Sequence, residues 1–116
     1  DTNTITKIET DLDTYSLKKD TYDVIINCNY LNRRLMLEIP NSLKDGGIVI
    51  FETFIIAHDI PEQGSMNPNY LLKKNELLDV FKEFDIIYYE EKDDSNLRGE
   101  KNKIASLIAK KKLLCS

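Results

Sequence analysis

Two short runs of β-branched residues, Val24-Ile25-Ile26 and Ile48-Val49-Ile50, constrain this chain through what lies between them. From Leu31 to Leu43 the apolar residues Leu31, Leu35, Met36, Ile39 and Leu43 recur at helical spacing, leaving Arg33, Arg34 and Glu38 off the stripe. The first run is continuous rather than alternating, the pattern of a strand covered on both faces in a parallel sheet. Pro40 predicts a break in the helix, because it removes a backbone donor. Asp45-Gly46-Gly47 then supplies the left-handed residue that closes many helices. The strand that follows, "IVIFETF", ends in the polar pair Glu52 and Thr53.

The flanks extend this alternation. "TITKIET", residues 4–10, reads as a short strand, followed by the polar stretch "DLDTYSLKKD". Residues 55–70 have no period and hold two prolines, which predicts a loop long enough to be functional. "LLKKNELLDVFKEF" places Leu77, Leu78, Phe81 and Phe84 on one helical face. "DIIYYEEK" and "KIASLIAKK" flank a charged turn and read as an antiparallel hairpin, adding an antiparallel strand at the sheet's edge. In the first of these strands only one of Tyr88 and Tyr89 can face the core. The order implies one α/β domain built on a mostly parallel sheet.

Composition narrows the function classes. A chain of 116 residues, 41% hydrophobic, can bury one core. Its net charge of −4 and pI of about 5.0 give no electrostatic reason to bind nucleic acid or an anionic membrane. No apolar run approaches the roughly 20 residues of a membrane span. Cys28 and Cys115 lie far apart in unlike contexts, and Cys28, closing an apolar run, reads as a buried free thiol. With no leader-like start, the expected compartment is the cytoplasm.

The stretch "YDVIINCNYLNRRLMLEIPNSLKDGGIVIFETF" is similar to the fourth strand, helix, Gly-Gly turn and fifth strand of class I S-adenosylmethionine-dependent methyltransferases, and within them to the small tellurite-resistance-type enzymes. "NPNYLLKKNELLDVFKEFDIIYYEE" resembles their substrate-side loop, next helix and sixth strand. "KIASLIAKKK" resembles the seventh strand, which in the family inserts antiparallel between the fifth and sixth. The resemblance covers residues 5–112 and implies a Rossmann-like methyltransferase sheet lacking the N-terminal glycine-loop half. The family's glycine-rich loop and the acid ending its second strand have no counterpart here. The expectation is therefore the C-terminal portion of a longer methyltransferase, a single partial domain over residues 1–116, and the initial Asp1 agrees with it.

What the resemblance implies for the site follows residue by residue. Asp11 and Leu12 match the family's pair that meets the adenine ring; otherwise Asp11 is a surface-turn residue. Asn27, Cys28 and Asn29 fall where the family faces the methionine part of S-adenosylmethionine, although Asn29 or Asn32 could instead cap the next helix. Tyr30, Glu52, His58, Asn67 and Tyr70 fall on the substrate side. His58, the only histidine, is more simply a polar loop residue, and Asn67-Pro68 is also an ordinary turn. Lys110, Lys111 and Lys112 read as solvated edge charge.

Methyl transfer to a small-molecule acceptor needs alignment and water exclusion more than acid–base groups, so neither a catalytic triad nor a metal site is expected. With half the pocket absent, this segment alone should bind S-adenosylmethionine weakly or not at all. An exposed sheet edge would favour a homodimer. The readings from other classes are a non-catalytic interaction module with a truncated methyltransferase-like fold, and a receiver-like domain, of which Asp11 and Asp13 give a faint echo.

Overall fold

The computed structural model describes residues 16–28, 31–56, 71–95 and 101–113. Its elements are β1 (Tyr22–Cys28), α1 (Arg33–Ser42), β2 (Leu43–Phe54), α2 (Glu76–Val80), β3 (Asp85–Ser95) and β4 (Lys101–Lys110). They form a four-stranded sheet in the order β1-β2-β4-β3. β1 and β2 are parallel, and β4 runs antiparallel to both of its neighbours. The last strand thus lies inside the sheet, not at its edge. Insertion is the arrangement that the methyltransferase resemblance implied, whereas the hairpin pattern alone suggested an edge strand.

The α1 helix starts as its sequence implies. The Asn32 side chain accepts from the Leu35 N–H at 3.2 Å, so Asn32 is the N-cap. Leu35, Met36 and Ile39 are buried along one stripe. The predicted break at Pro40 does not occur: the helix runs through it to Ser42. Pro40 lies in the last turn, where its missing N–H forfeits only one backbone bond before the helix ends at Ser42.

Nor does a glycine close the helix. Leu43 is already extended, at φ −77° and ψ 141°, and its N–H bonds the Ile39 carbonyl. Lys111 supplies the cap instead, its Nζ donating to the carbonyls of Pro40 at 2.7 Å and Leu43 at 2.9 Å. Of the three lysines read as solvated charge, Lys110 and Lys112 are exposed while Lys111 is half-buried and tied to α1.

Gly46 and Gly47 serve a different purpose, inside β2. Tyr22 stands opposite Leu43, and Val24 opposite Ile48, so β2 takes the longer path and bulges between them. Gly46 has φ +81°, the left-handed region that glycine tolerates. A Cβ on Gly47 would sit 2.8 Å from the Lys44 carbonyl oxygen and 3.2 Å from that of Asp23.

The second predicted helix is shorter than its sequence pattern. Leu72 instead bridges Ile55 in parallel, its N–H donating to the Phe54 carbonyl at 2.9 Å. Asn75 then takes a left-handed φ of 65°, so α2 cannot begin before Glu76. The periodic residues keep their burial: Leu77, Phe81 and Phe84 join Met36, Ile39, Val49, Phe51, Ala105, Leu107 and Ala109 in one core. The Phe81 and Phe84 rings meet edge to face at 5.2 Å. Tyr89 packs partly against this core and Tyr88 is exposed, so one of the pair faces inward as expected.

One sheet face is thereby covered. The expectation that Val24-Ile25-Ile26 is buried on both faces fails, because β1 is an outer strand among the described residues and Ile26 is 52% exposed.

Candidate functional site

In an open α/β sheet, ligands bind outside the carboxyl ends of the parallel strands. Here those ends are Asn27-Cys28 of β1 and Glu52-Thr53 of β2, with Cys28 opposite Glu52. The register continues the row across the sheet, Glu52 opposite Ser106 and Ser106 opposite Glu90. Residues in one row project to one face, so Cys28, Glu52, Ser106 and Glu90 share a side. Asn27 belongs to the adjacent row, with Phe51, Leu107 and Tyr89, and projects to the helix-covered side.

The sequence expectation grouped Asn27 with Cys28, and the structure separates them by strand alternation. Cys28 is also exposed rather than a buried thiol, because β1 has no outer neighbour among the described residues. Glu52 keeps its place at the end of β2. Asn29, Tyr30, Asp11, Leu12, His58, Asn67 and Tyr70 lie outside the described residues.

Sequence reasoning missed Ser106. Its Oγ donates to Glu52 Oε1 at 2.5 Å, and the residue is 8% exposed. A hydrogen bond to a carboxylate this short is strong and fixes the rotamer of the acid. The signal was present but indirect: only once β4 is placed beside β2 does Ser106 fall opposite Glu52. Farther along the same face, the Tyr88 hydroxyl donates to Glu90. That bond, with the negative charges of Glu90 and Glu52, pushes the Tyr88 phenol above its ordinary range. On the other face, burial and then a 2.7 Å bond to Glu91 raise Tyr89 further.

The rim is held by an arginine. Arg33, in the first turn of α1, donates from Nε to Glu76 Oε2 at 2.7 Å and from Nη2 to Glu76 Oε1 at 2.9 Å. Nη2 also reaches the Leu71 carbonyl at 2.8 Å, and the Lys73 N–H donates to Glu76 at 2.8 Å. This fork joins the chain leaving β1 to the chain leading into α2. Partial burial alone would raise the Glu76 carboxyl, but the bonds from Arg33 and Lys73 outweigh it and hold the acid below its ordinary value. The same pairing raises Arg33. Among the described residues no buried side-chain polar atom lacks a partner.

The site therefore offers a carboxylate–hydroxyl pair, an exposed thiol and a second carboxylate at the carboxyl end of the sheet. Among the described residues no group of His, Cys, Asp and Glu has the arrangement of a metal site. No helix there is long and apolar enough to cross a membrane.

No protein-family model and no curated protein matches the chain. Solved structures do. TehB from Haemophilus influenzae superposes with a TM-score of 0.65 at 22% identity, over 79% of this chain and 36% of its own. A SAM-dependent methyltransferase from Methanosarcina mazei gives 0.64 at 18% identity, over 90% of this chain and 66% of its own. The [4+2]-cyclase SpnF gives 0.54 at 15% identity, over 87% of this chain and 53% of its own. The chain has the Rossmann-like fold of SAM-dependent methyltransferases, as its sequence resemblance implied, and spans only part of the length of these relatives.

Proposed function

We propose that this chain is the C-terminal portion of a SAM-dependent methyltransferase acting on a small-molecule acceptor. The observation that carries the reading is the sheet itself, with β4 antiparallel between β2 and β3 and the superposition on TehB and the Methanosarcina enzyme. SpnF has a similar fold and is named for a different reaction, so the reading also leans on the site.

The chemistry asks little of side chains. When bound, the sulfonium of S-adenosylmethionine supplies the electrophilic methyl group. The protein's task is to hold an acceptor atom in line with that group and to keep water out. In this reading Asn27 and Cys28 end the strand beside the cofactor, and Asp11, Leu12 and Asn29 complete its contacts. Glu52, fixed by Ser106, accepts a hydrogen bond from a donor on the acceptor, on the substrate side to which the family resemblance assigns Tyr30, His58, Asn67 and Tyr70. The protein works in the cytoplasm, and this segment alone binds the cofactor weakly or not at all.

Calorimetry with S-adenosylmethionine tests the reading on two samples: the 116-residue chain and the natural polypeptide that carries it, each checked by intact mass. Binding by the natural polypeptide and not by the isolated segment is the expected result. A natural polypeptide that leaves S-adenosylmethionine unbound would sink the proposal and leave an interaction module on a methyltransferase-like fold.

A further inference from the structure

Beyond Phe54 the chain continues the path of β2 and gains a second neighbour. The Ile55 N–H donates to the Lys103 carbonyl on the β4 side at 2.9 Å. On the opposite edge Phe54 accepts from the Leu72 N–H at 2.9 Å, and the Ile56 N–H donates to the Leu72 carbonyl at 2.8 Å. That edge is the one β1 occupies as far as Glu52. Leu72 thus resumes the parallel pairing opposite Ile55, three residues farther on, or about 10 Å along the strand. Leu71, Leu72 and Ile55 are all buried. The end of β1, with Asn27 and Cys28, and the segment at Leu71-Leu72 therefore flank the carboxyl end of β2 from one edge.

Two backbone hydrogen bonds hold Leu72 there, and α2, with five residues, is too short to orient itself. The further constraint comes from α1. The Arg33 guanidinium takes both oxygens of Glu76 and the Leu71 carbonyl at once, so it grips the chain on each side of Leu72. A planar fork fixes direction as well as distance, which an ammonium does not. Arg33 stands five residues after Cys28, in a turn that Asn32 caps. The segment from Leu71 to Glu76 is consequently tied to the chain leaving β1 as well as to β2. Arg34, by contrast, pairs at 3.1 Å with Glu38 of its own helix.

We propose that Arg33, through Glu76 and Leu71, is a positioning residue for methyl transfer. It sets the spacing between the strand end on the cofactor side and the segment that returns from the substrate side. The proposal rests on the reading in the preceding subsection. Transfer requires the acceptor atom in line with the methyl group, and a misplacement of about 1 Å can cost about 100-fold in rate. Without the fork, the segment from Leu71 to Glu76 shifts relative to β1 while the pairing of β2 with β4 stays formed.

Three variants of the natural polypeptide that carries the chain test this. Arg33→Lys keeps the charge and removes the fork, Glu76→Gln keeps the shape and removes the charge, and Arg34→Gln is the control. Hydrogen exchange at the Ile56 and Leu72 amides is expected to quicken about tenfold or more in the first two, with the amides that pair β2 with β4 unchanged. Methyl transfer from S-adenosylmethionine is followed as S-adenosylhomocysteine release, with the best acceptor from a set of small thiols, amines, phenols and oxyanions. In Arg33→Lys and Glu76→Gln, kcat is expected to fall about 10- to 100-fold while KM for S-adenosylmethionine stays within about threefold; Arg34→Gln matches the parent. Unchanged exchange at Ile56 and Leu72 overturns the proposal. So does a kcat that falls only as far as the folded fraction, or equally in Arg34→Gln, because the fork is then a stabilising pair alone. A parent that releases no S-adenosylhomocysteine with any of the set loses the methyltransferase reading, and the positioning role with it. Quickened exchange in that case still marks the fork as the anchor of the segment, so the two failures are told apart.

Discussion

Replacing Lys111 by methionine would delete the ammonium that closes α1 while keeping most of the aliphatic stem. Two bonds are at stake, to the carbonyls of Pro40 at 2.7 Å and Leu43 at 2.9 Å, with Asp20 a further 3.9 Å contact. A hydrogen bond from a charged donor contributes about 1.5–3 kcal/mol net. The Lys111 side chain is 21% exposed, so water replaces part of what is lost. The neighbouring Ile39 carbonyl already accepts from the Ser42 hydroxyl and the Leu43 N–H, which leaves the helix end no obvious way to repair itself. The expected cost is about 1–3 kcal/mol, or roughly 4–12 °C in Tm for a chain of this size. Urea titration followed by circular dichroism would measure it, with Lys110→Met and Lys112→Met as controls. Both controls sit on exposed residues and should stay within about 0.5 kcal/mol of the parent. If all three variants lose the same amount, the effect is one of general charge and the capping argument is wrong.

Three further perturbations address the bulge, the rim and the site. Gly47→Ala forces a Cβ against two backbone oxygens and should cost about 2 kcal/mol or more; an unchanged urea midpoint would contradict the close approach. Glu76→Gln should lower stability at neutral pH by about 1–2 kcal/mol, a figure reduced for the partial exposure of the pair. Because the folded Glu76 carboxyl lies below its unfolded value of about 4.3, its contribution is present above that pH and fades as pH falls through the folded value. The gap between parent and variant should accordingly be wide at pH 7 and narrow as pH falls through the folded value, and a gap independent of pH would rule out the ion pair as its source. Ser106→Ala should cost only about 0.5–1.5 kcal/mol in stability yet, under the proposed function, slow methyl transfer by the natural polypeptide about tenfold, by releasing Glu52. Unaltered turnover would make the pair purely structural.

How much of this was legible depended on whether a feature is local. The Asn32 cap, the buried stripe Leu35-Met36-Ile39 and the rule that only one of Tyr88 and Tyr89 faces inward are decided by near neighbours and were recoverable from spacing; which tyrosine it is came only with the sheet. Pro40 and the Gly-Gly pair were misread because their outcome depends on remote partners. The end of α1 is closed by a lysine 71 residues away from Pro40, which frees Gly46 and Gly47 to shape a bulge. Asn75 was hidden for another reason: an asparagine inside a periodic run gives no sign that it will turn left-handed. Glu52 was legible as the polar end of a buried strand, whereas Ser106 is one small residue in "KIASLIAKK" until the register is known. Cys28 looked buried because its apolar run was assumed to have a neighbour on each side.

The interior position of β4 has a consequence for how the chain is made. Ser106 meets Glu52 across a separation of 54 residues, and every pairing between β2 and β4 spans a comparable length. During synthesis β2 therefore emerges, acquires β1 on one side, and waits with its other edge open while α2 and β3 are translated. β3 waits too, because its only described partner is the same late strand. At ordinary elongation rates of about 5–20 residues per second, that exposure lasts seconds. In that interval a β-branched edge can pair with a neighbouring nascent chain, and a protein with this strand order relies on β4 arriving promptly or on a chaperone holding its place.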